Sequence, residues 1–76
     1  MIIEVNYRTP TDAADPHTKF RRTEFFESAT MPNKDIIVRT LTRMGKKIAE
    51  QTISISQYKA KDADALRASG LRVTKI

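Results

Sequence analysis

The sequence predicts a small α+β domain: a single-layer sheet in the order ββαβαβ, one long amphipathic helix packed on it and one short C-terminal helix. Two patterns lead there. Residues 2–8, 19–28, 52–58 and 71–76 are rich in β-branched and aromatic side chains in near alternation. Between residues 33 and 48, large apolar side chains recur at helical spacing instead. With 76 residues there is room for one core, so residues 1–76 are expected to form a single domain.

In residues 2–8, Ile3, Val5 and Tyr7 share one face and Ile2, Glu4, Asn6 and Arg8 the other. Thr9-Pro10 is expected to end this strand, because proline has no N–H to give a ladder. The polar, proline-interrupted stretch 11–18 reads as a loop. In the second strand, 19–28, Phe20 and Phe26 share a face with Arg22 and Glu24 while Phe25 points the other way. That broken alternation suggests a bulge or a strand covered on both faces. The two strands are expected to pair antiparallel.

Thr30 or Asn33 can cap the following helix, Pro32 suits a first turn, and Asp35 complements the positive helix start. Ile37, Leu41, Met44 and Ile48 then form an apolar stripe, each worth about 2 kcal/mol when buried. Gly45 interrupts it at a cost of roughly 1 kcal/mol relative to alanine. It marks either close packing or a premature helix end, and the continuation of the stripe to Ile48 favours close packing. In the strand 52–58, Ile53 and Ile55 face one way and Thr52, Ser54 and Ser56 the other. Asp62 can cap a short helix reaching Ser69, with Ala63, Leu66 and Ala60 on its apolar side. Gly70 suits the left-handed C′ position, Leu71 can close onto the last turn, and 71–76 is the final strand. Strand, helix, strand at this end favours a parallel crossover if both strands join one sheet.

A domain this small is marginally stable, and with no cysteine it has neither a disulfide nor a thiolate zinc site to staple it. Tight packing or self-association is left, so a homodimer is one expectation. The lack of cysteine fits a reducing cytoplasm, and no apolar run is long enough for a signal-peptide core or a membrane span. No membrane partner is expected.

The net charge of +5 is unevenly placed. Residues 1–30 hold four Lys/Arg against five Asp/Glu, and residues 31–76 hold ten against four. Such asymmetry points to a polyanionic partner, nucleic acid or an acidic protein surface, although excess cations also serve solubility. The sharpest feature is a stripe of Arg39, Arg43 and Lys46, with Lys47 beside it, on the helix side away from the apolar residues. Glu50 lies four residues after Lys46 and is expected to pair with it. Arg21 and Arg22 add charge beside Phe20 and Phe25, which can offer stacking surface, although the ordinary place for such aromatics is the core.

Catalytic furniture is sparse. Asp12, Asp15 and His17 lie close in sequence but match no metal-loop spacing. A metal-free nuclease can work with arginine, histidine and tyrosine, here Arg21, Arg22, His17, Tyr7 and Tyr58, but their spacing is not diagnostic. No Walker loop, dinucleotide fingerprint or nucleophile elbow is present. The expectation is a non-enzymatic basic binding module with no cofactor. Nucleic acid leads as partner, held through phosphates with weak sequence selectivity. The alternative is an adaptor or inhibitor that docks on an acidic surface of a larger protein, with 71–76 as an added edge strand. A nuclease comes third.

Overall fold

A computed structural model describes the backbone of residues 1–76 and all side chains except those of Ala60, Asp62 and Ala63. β1 (Ile2–Arg8) and β2 (Arg22–Glu27) pair antiparallel, as the sequence predicts, with Ile3 opposite Phe26 and Tyr7 opposite Arg22. β3 (Ala49–Tyr58) adds antiparallel to the other side of β1, and β4 (Val73–Lys75) adds parallel to β2. The four-stranded sheet therefore has the order β3-β1-β2-β4, with β1 and β2 central.

Two faces follow from the pleat. Ile3, Val5, Tyr7 and Phe26 lie under α2 (Lys34–Arg43) and bury completely against Ile37 and Leu41, with Met44, Ile48, Ile53 and Ile55 around them. On the opposite face, Ile2 packs with Leu66 of α3 (Ala60–Ala68), flanked by Phe25, Tyr58 and Val73. The crossover β2-α2-β3 passes over one face and β3-α3-β4 returns over the other. Reversing both direction and face gives the two crossovers the same hand, as the rule for parallel connections demands. β3 and β4 are thus parallel to each other but at opposite edges, with β1 and β2 between them.

Four details correct the sequence reading. First, the element order is βαβαβαβ, because the expected loop at 11–18 contains α1 (Pro10–Ala14). The Thr9 side chain caps it, accepting from Asp12 N–H, so Pro10 both ends the strand and occupies the first helical turn. Second, α2 is ten residues long and stops at Arg43. Gly45 takes φ +81° with open space around it, so it is a helix terminator and not a close-packing site. Gly45 N–H donates to Thr42 O and Lys46 N–H to Leu41 O, both at 3.0 Å, which is a Schellman ending. Ile48 still reaches the core, but from the loop beyond.

Third, β2 starts at Arg22, so Phe20 lies outside it and is 59% exposed, whereas Phe26 is buried and Phe25 packs edge-on to Tyr58 at 5.5 Å. Fourth, the end of α3 does not draw Leu71 back. Ser69 Oγ donates to Leu66 O at 2.6 Å, Gly70 has φ +79°, and Leu71 remains exposed. The final strand is correspondingly only three residues long. α3 starts after Lys59, which makes no side-chain cap bond. The expected Asp62 cap and the apolar contributions of Ala60 and Ala63 lie outside the described side chains.

β3 carries a large bulge. Between the pairs Asn6/Ser54 and Arg8/Ala49, one residue of β1 faces four of β3. Thr52 holds it: its hydroxyl accepts from Arg8 N–H at 2.8 Å and donates to Ala49 O at 2.6 Å. The bulge lies close to where the α2–β3 loop enters β3, and Ala49 ahead of it still pairs with Arg8.

Candidate functional site

The cross-strand pair Tyr7/Arg22 sits at the end of the apolar face. Leu41 anchors the last turns of α2 in the core, so the Schellman turn brings Gly45, Lys46 and Lys47 toward that end. With Thr9 from the start of α1, these residues line a cleft of about 290 Å³: Tyr7, Thr9, Arg22, Gly45, Lys46 and Lys47. That volume suits a small polar headgroup and lies at the low end for ligand pockets.

The electrostatics of the cleft follow from its register. Glu24 is one rung along from Arg22 on the same face, and Lys46 Nζ stands 3.7 Å from its carboxylate. This corrects the expected Lys46–Glu50 pair: once the helix ends at Arg43, helical spacing no longer relates the two, and Glu50 belongs to β3. Three cations, Arg22, Lys46 and Lys47, therefore meet one nearby carboxylate. Tyr7 forms the apolar-side wall. It is fully buried, and its hydroxyl has no hydrogen-bond partner among the described residues. Burial pushes its pKa above the usual 10.0, the Glu24 charge adds to that rise, and Arg22 opposes it. The hydroxyl is accordingly a neutral donor at physiological pH.

The cations expected from sequence divide into three groups. Arg22, Lys46 and Lys47 converge on the cleft. Arg39 and Arg43 are exposed on α2, one turn apart, on the side away from buried Ile37 and Leu41. Lys46 leaves that stripe because its helix has ended. Arg21 goes elsewhere: its Nη2 donates to Thr52 O at 3.0 Å, tying the loop before β2 to the bulge. Beside the cleft, the Arg22 guanidinium stands 5.6 Å from the centroid of the exposed Phe20 ring.

The other constellations disperse. Tyr7 and Tyr58 lie on opposite faces of the sheet, and His17 sits in the loop after α1, where its N–H donates to Asp15 Oδ1 at 2.9 Å. Asp12 N–H is used by the Thr9 cap. Among the described residues, no group of three or more His, Cys, Asp or Glu side chains is arranged to hold a metal ion.

Sequence reasoning missed Thr9 and Gly45 as cleft residues and named Tyr7 only within the nuclease set. The available signals were local: Thr-Pro-x-Asp starts a helix, and glycine followed by two lysines ends one. Nothing in the sequence marks the Tyr7 hydroxyl as stranded, since that depends on what α2 places above it. No protein-family model matches the chain, and no curated protein or solved structure is significantly similar to it.

Proposed function

We propose that this chain is a small, cofactor-free, cytoplasmic binding module whose partner is nucleic acid, held mainly through phosphates with weak sequence selectivity. The observation that carries this is the convergence of Arg22, Lys46 and Lys47 from two separate segments on one cleft. Arg43 lies just before the turn that supplies the lysines, and Arg39 one helical turn earlier. A strand leaving the cleft therefore has further cations along α2, while exposed Phe20 offers a base a stacking surface. Such binding releases counterions, so affinity falls steeply with salt.

The test is a gel-shift titration at two salt concentrations with wild type and the Arg39→Glu/Arg43→Glu double variant. The variant is expected to lose most affinity, and wild type to show a clear negative salt slope. Binding that is absent, or indifferent to salt, defeats the proposal. A second reading, an adaptor or inhibitor for an acidic protein surface, draws support from β4, an edge strand with exposed Arg72 before it and Lys75 at its end. Capture of a stoichiometric protein partner that survives nuclease treatment favours that reading.

A further inference from the structure

We infer that the Tyr7–Arg22–Lys46–Lys47 cleft takes the terminal phosphate of a nucleic-acid strand, a dianionic phosphomonoester, in preference to the internal phosphodiesters of the chain. This rests on the nucleic-acid reading above and specifies which part of the strand enters the site.

Three observations carry it. Arg22, Lys46 and Lys47 against Glu24 leave two positive charges in excess, which matches the charge of roughly −2 on a phosphomonoester at neutral pH better than the single charge of a diester. The cleft is also small, and its volume of about 290 Å³ is on the scale of a phosphate headgroup. Finally, the Tyr7 hydroxyl is a fully buried donor without a partner among the described residues, at the wall of the cleft. Buried polar groups are almost always satisfied, so an orphaned donor beside three cations suits an anion's oxygen. Reaching it requires the side chains over it to shift, and Lys46 can swing from its 3.7 Å contact with Glu24 to the incoming phosphate. The negative end of the α2 dipole opposes an anion here, but it counts for about half a charge against three full cations. Phe20, whose ring centroid is 5.6 Å from the Arg22 guanidinium, then lies where the terminal base can rest.

The experiment measures fluorescence anisotropy with one single-stranded oligonucleotide carrying a 5′-phosphate, a 3′-phosphate or hydroxyl ends. One of the phosphorylated forms is expected to bind about tenfold or more tightly than the hydroxyl-ended form, the effect of a charge-assisted hydrogen bond. The gap should narrow in Tyr7→Phe and widen in Glu24→Gln, which removes the opposing carboxylate. Equal affinity for all three ends overturns the inference while leaving nucleic-acid binding in place. Failure of every oligonucleotide to bind overturns both. Inorganic phosphate or a phosphoserine peptide that competes as well as the end-phosphorylated strand, mole for mole, overturns the assignment to a strand end.

Discussion

The two faces of the sheet are built on different terms. Under α2, the inward residues of β1 and Phe26 of β2 are buried completely and are apolar except for one hydroxyl. Under α3, Ile2 is the only strand residue of the buried cluster among those described, Phe25, Tyr58 and Val73 are partly buried beside it, and the rest of that face is polar, with Glu4, Asn6, Thr23, Ser54 and Ser56. Those polar groups help one another: Thr23 Oγ1 donates to Asn6 Oδ1 at 2.6 Å, and Asn6 Nδ2 to Glu4 Oε2 at 3.3 Å. Water reaches whatever is left. A polar face open to solvent thus satisfies itself locally, whereas a closed apolar face leaves a stray polar atom stranded. The stranded Tyr7 hydroxyl marks where the closed face meets the cleft.

The largest expected effect tests whether the α2 face dominates stability. Leu41→Ala removes a fully buried side chain from the main cluster and should destabilise by about 3–4 kcal/mol, whereas Leu66→Ala, in the smaller cluster, should cost about 2 kcal/mol. For a domain of this size the first loss approaches the whole stability, roughly 0.05–0.15 kcal/mol per residue. Urea denaturation measures both, and equal losses would remove the asymmetry between faces.

Tyr7→Phe sharpens the comparison in the opposite direction. Deleting an unsatisfied buried hydroxyl should stabilise the fold by about 1 kcal/mol while weakening the phosphate preference. The pH dependence carries a sign. Because the folded-state pKa of Tyr7 is raised above 10.0, the folded protein keeps a proton that the unfolded chain has lost. The associated stability is fully present below pH 10.0 and is lost as pH climbs through the folded value. Denaturation on either side of pH 10.0 should therefore show the stability gap between variant and wild type widening on the alkaline side. A constant gap would mean that the hydroxyl is not desolvated.

These effects bear on how much the chain declares in advance. Strand alternation identified the faces of β1 and the inward side of Ile53 and Ile55, because burial imposes a period of two. Helical spacing found Ile37 and Leu41, then overran, because Met44 and Ile48 continue the apolar pattern through a turn that is no longer helical. Periodicity records which residues reach the core, and loop residues reach it too. The cleft was half legible. Its cations were visible in two separate sets, Lys46 and Lys47 with the helix stripe and Arg22 with the aromatic strand, but bringing Lys46 beside Glu24 and Arg22 needs the helix to end at Gly45, a tertiary consequence of one left-handed residue. The polar stretch before β2 concealed α1 because Thr9-Pro10 serves equally as a strand stop and a helix start.

The smallest expected effect concerns the two ion pairs among the described residues, one on each face. Arg67 and Glu27 stand 3.5 Å apart with both side chains about half exposed, 51% and 48%. Lys46 and Glu24 are farther apart at 3.7 Å, but the Glu24 side chain is only 26% exposed. Exposed pairs gain little in water and hold two flexible side chains still, so Arg67→Ala should change stability by no more than about 0.5 kcal/mol. Glu24→Gln should likewise change stability little, because the lost attraction to Lys46 is offset by easier burial of a neutral amide. Its consequence is electrostatic: without the Glu24 charge the Tyr7 pKa falls back toward 10.0 and the cleft gains net positive charge. Spectrophotometric titration of the two tyrosines in wild type and Glu24→Gln measures the first, and the end-phosphate affinity the second. A Tyr7 titration that Glu24→Gln leaves unmoved would show that the pair does not govern the cleft, and that the two ion pairs differ in exposure alone.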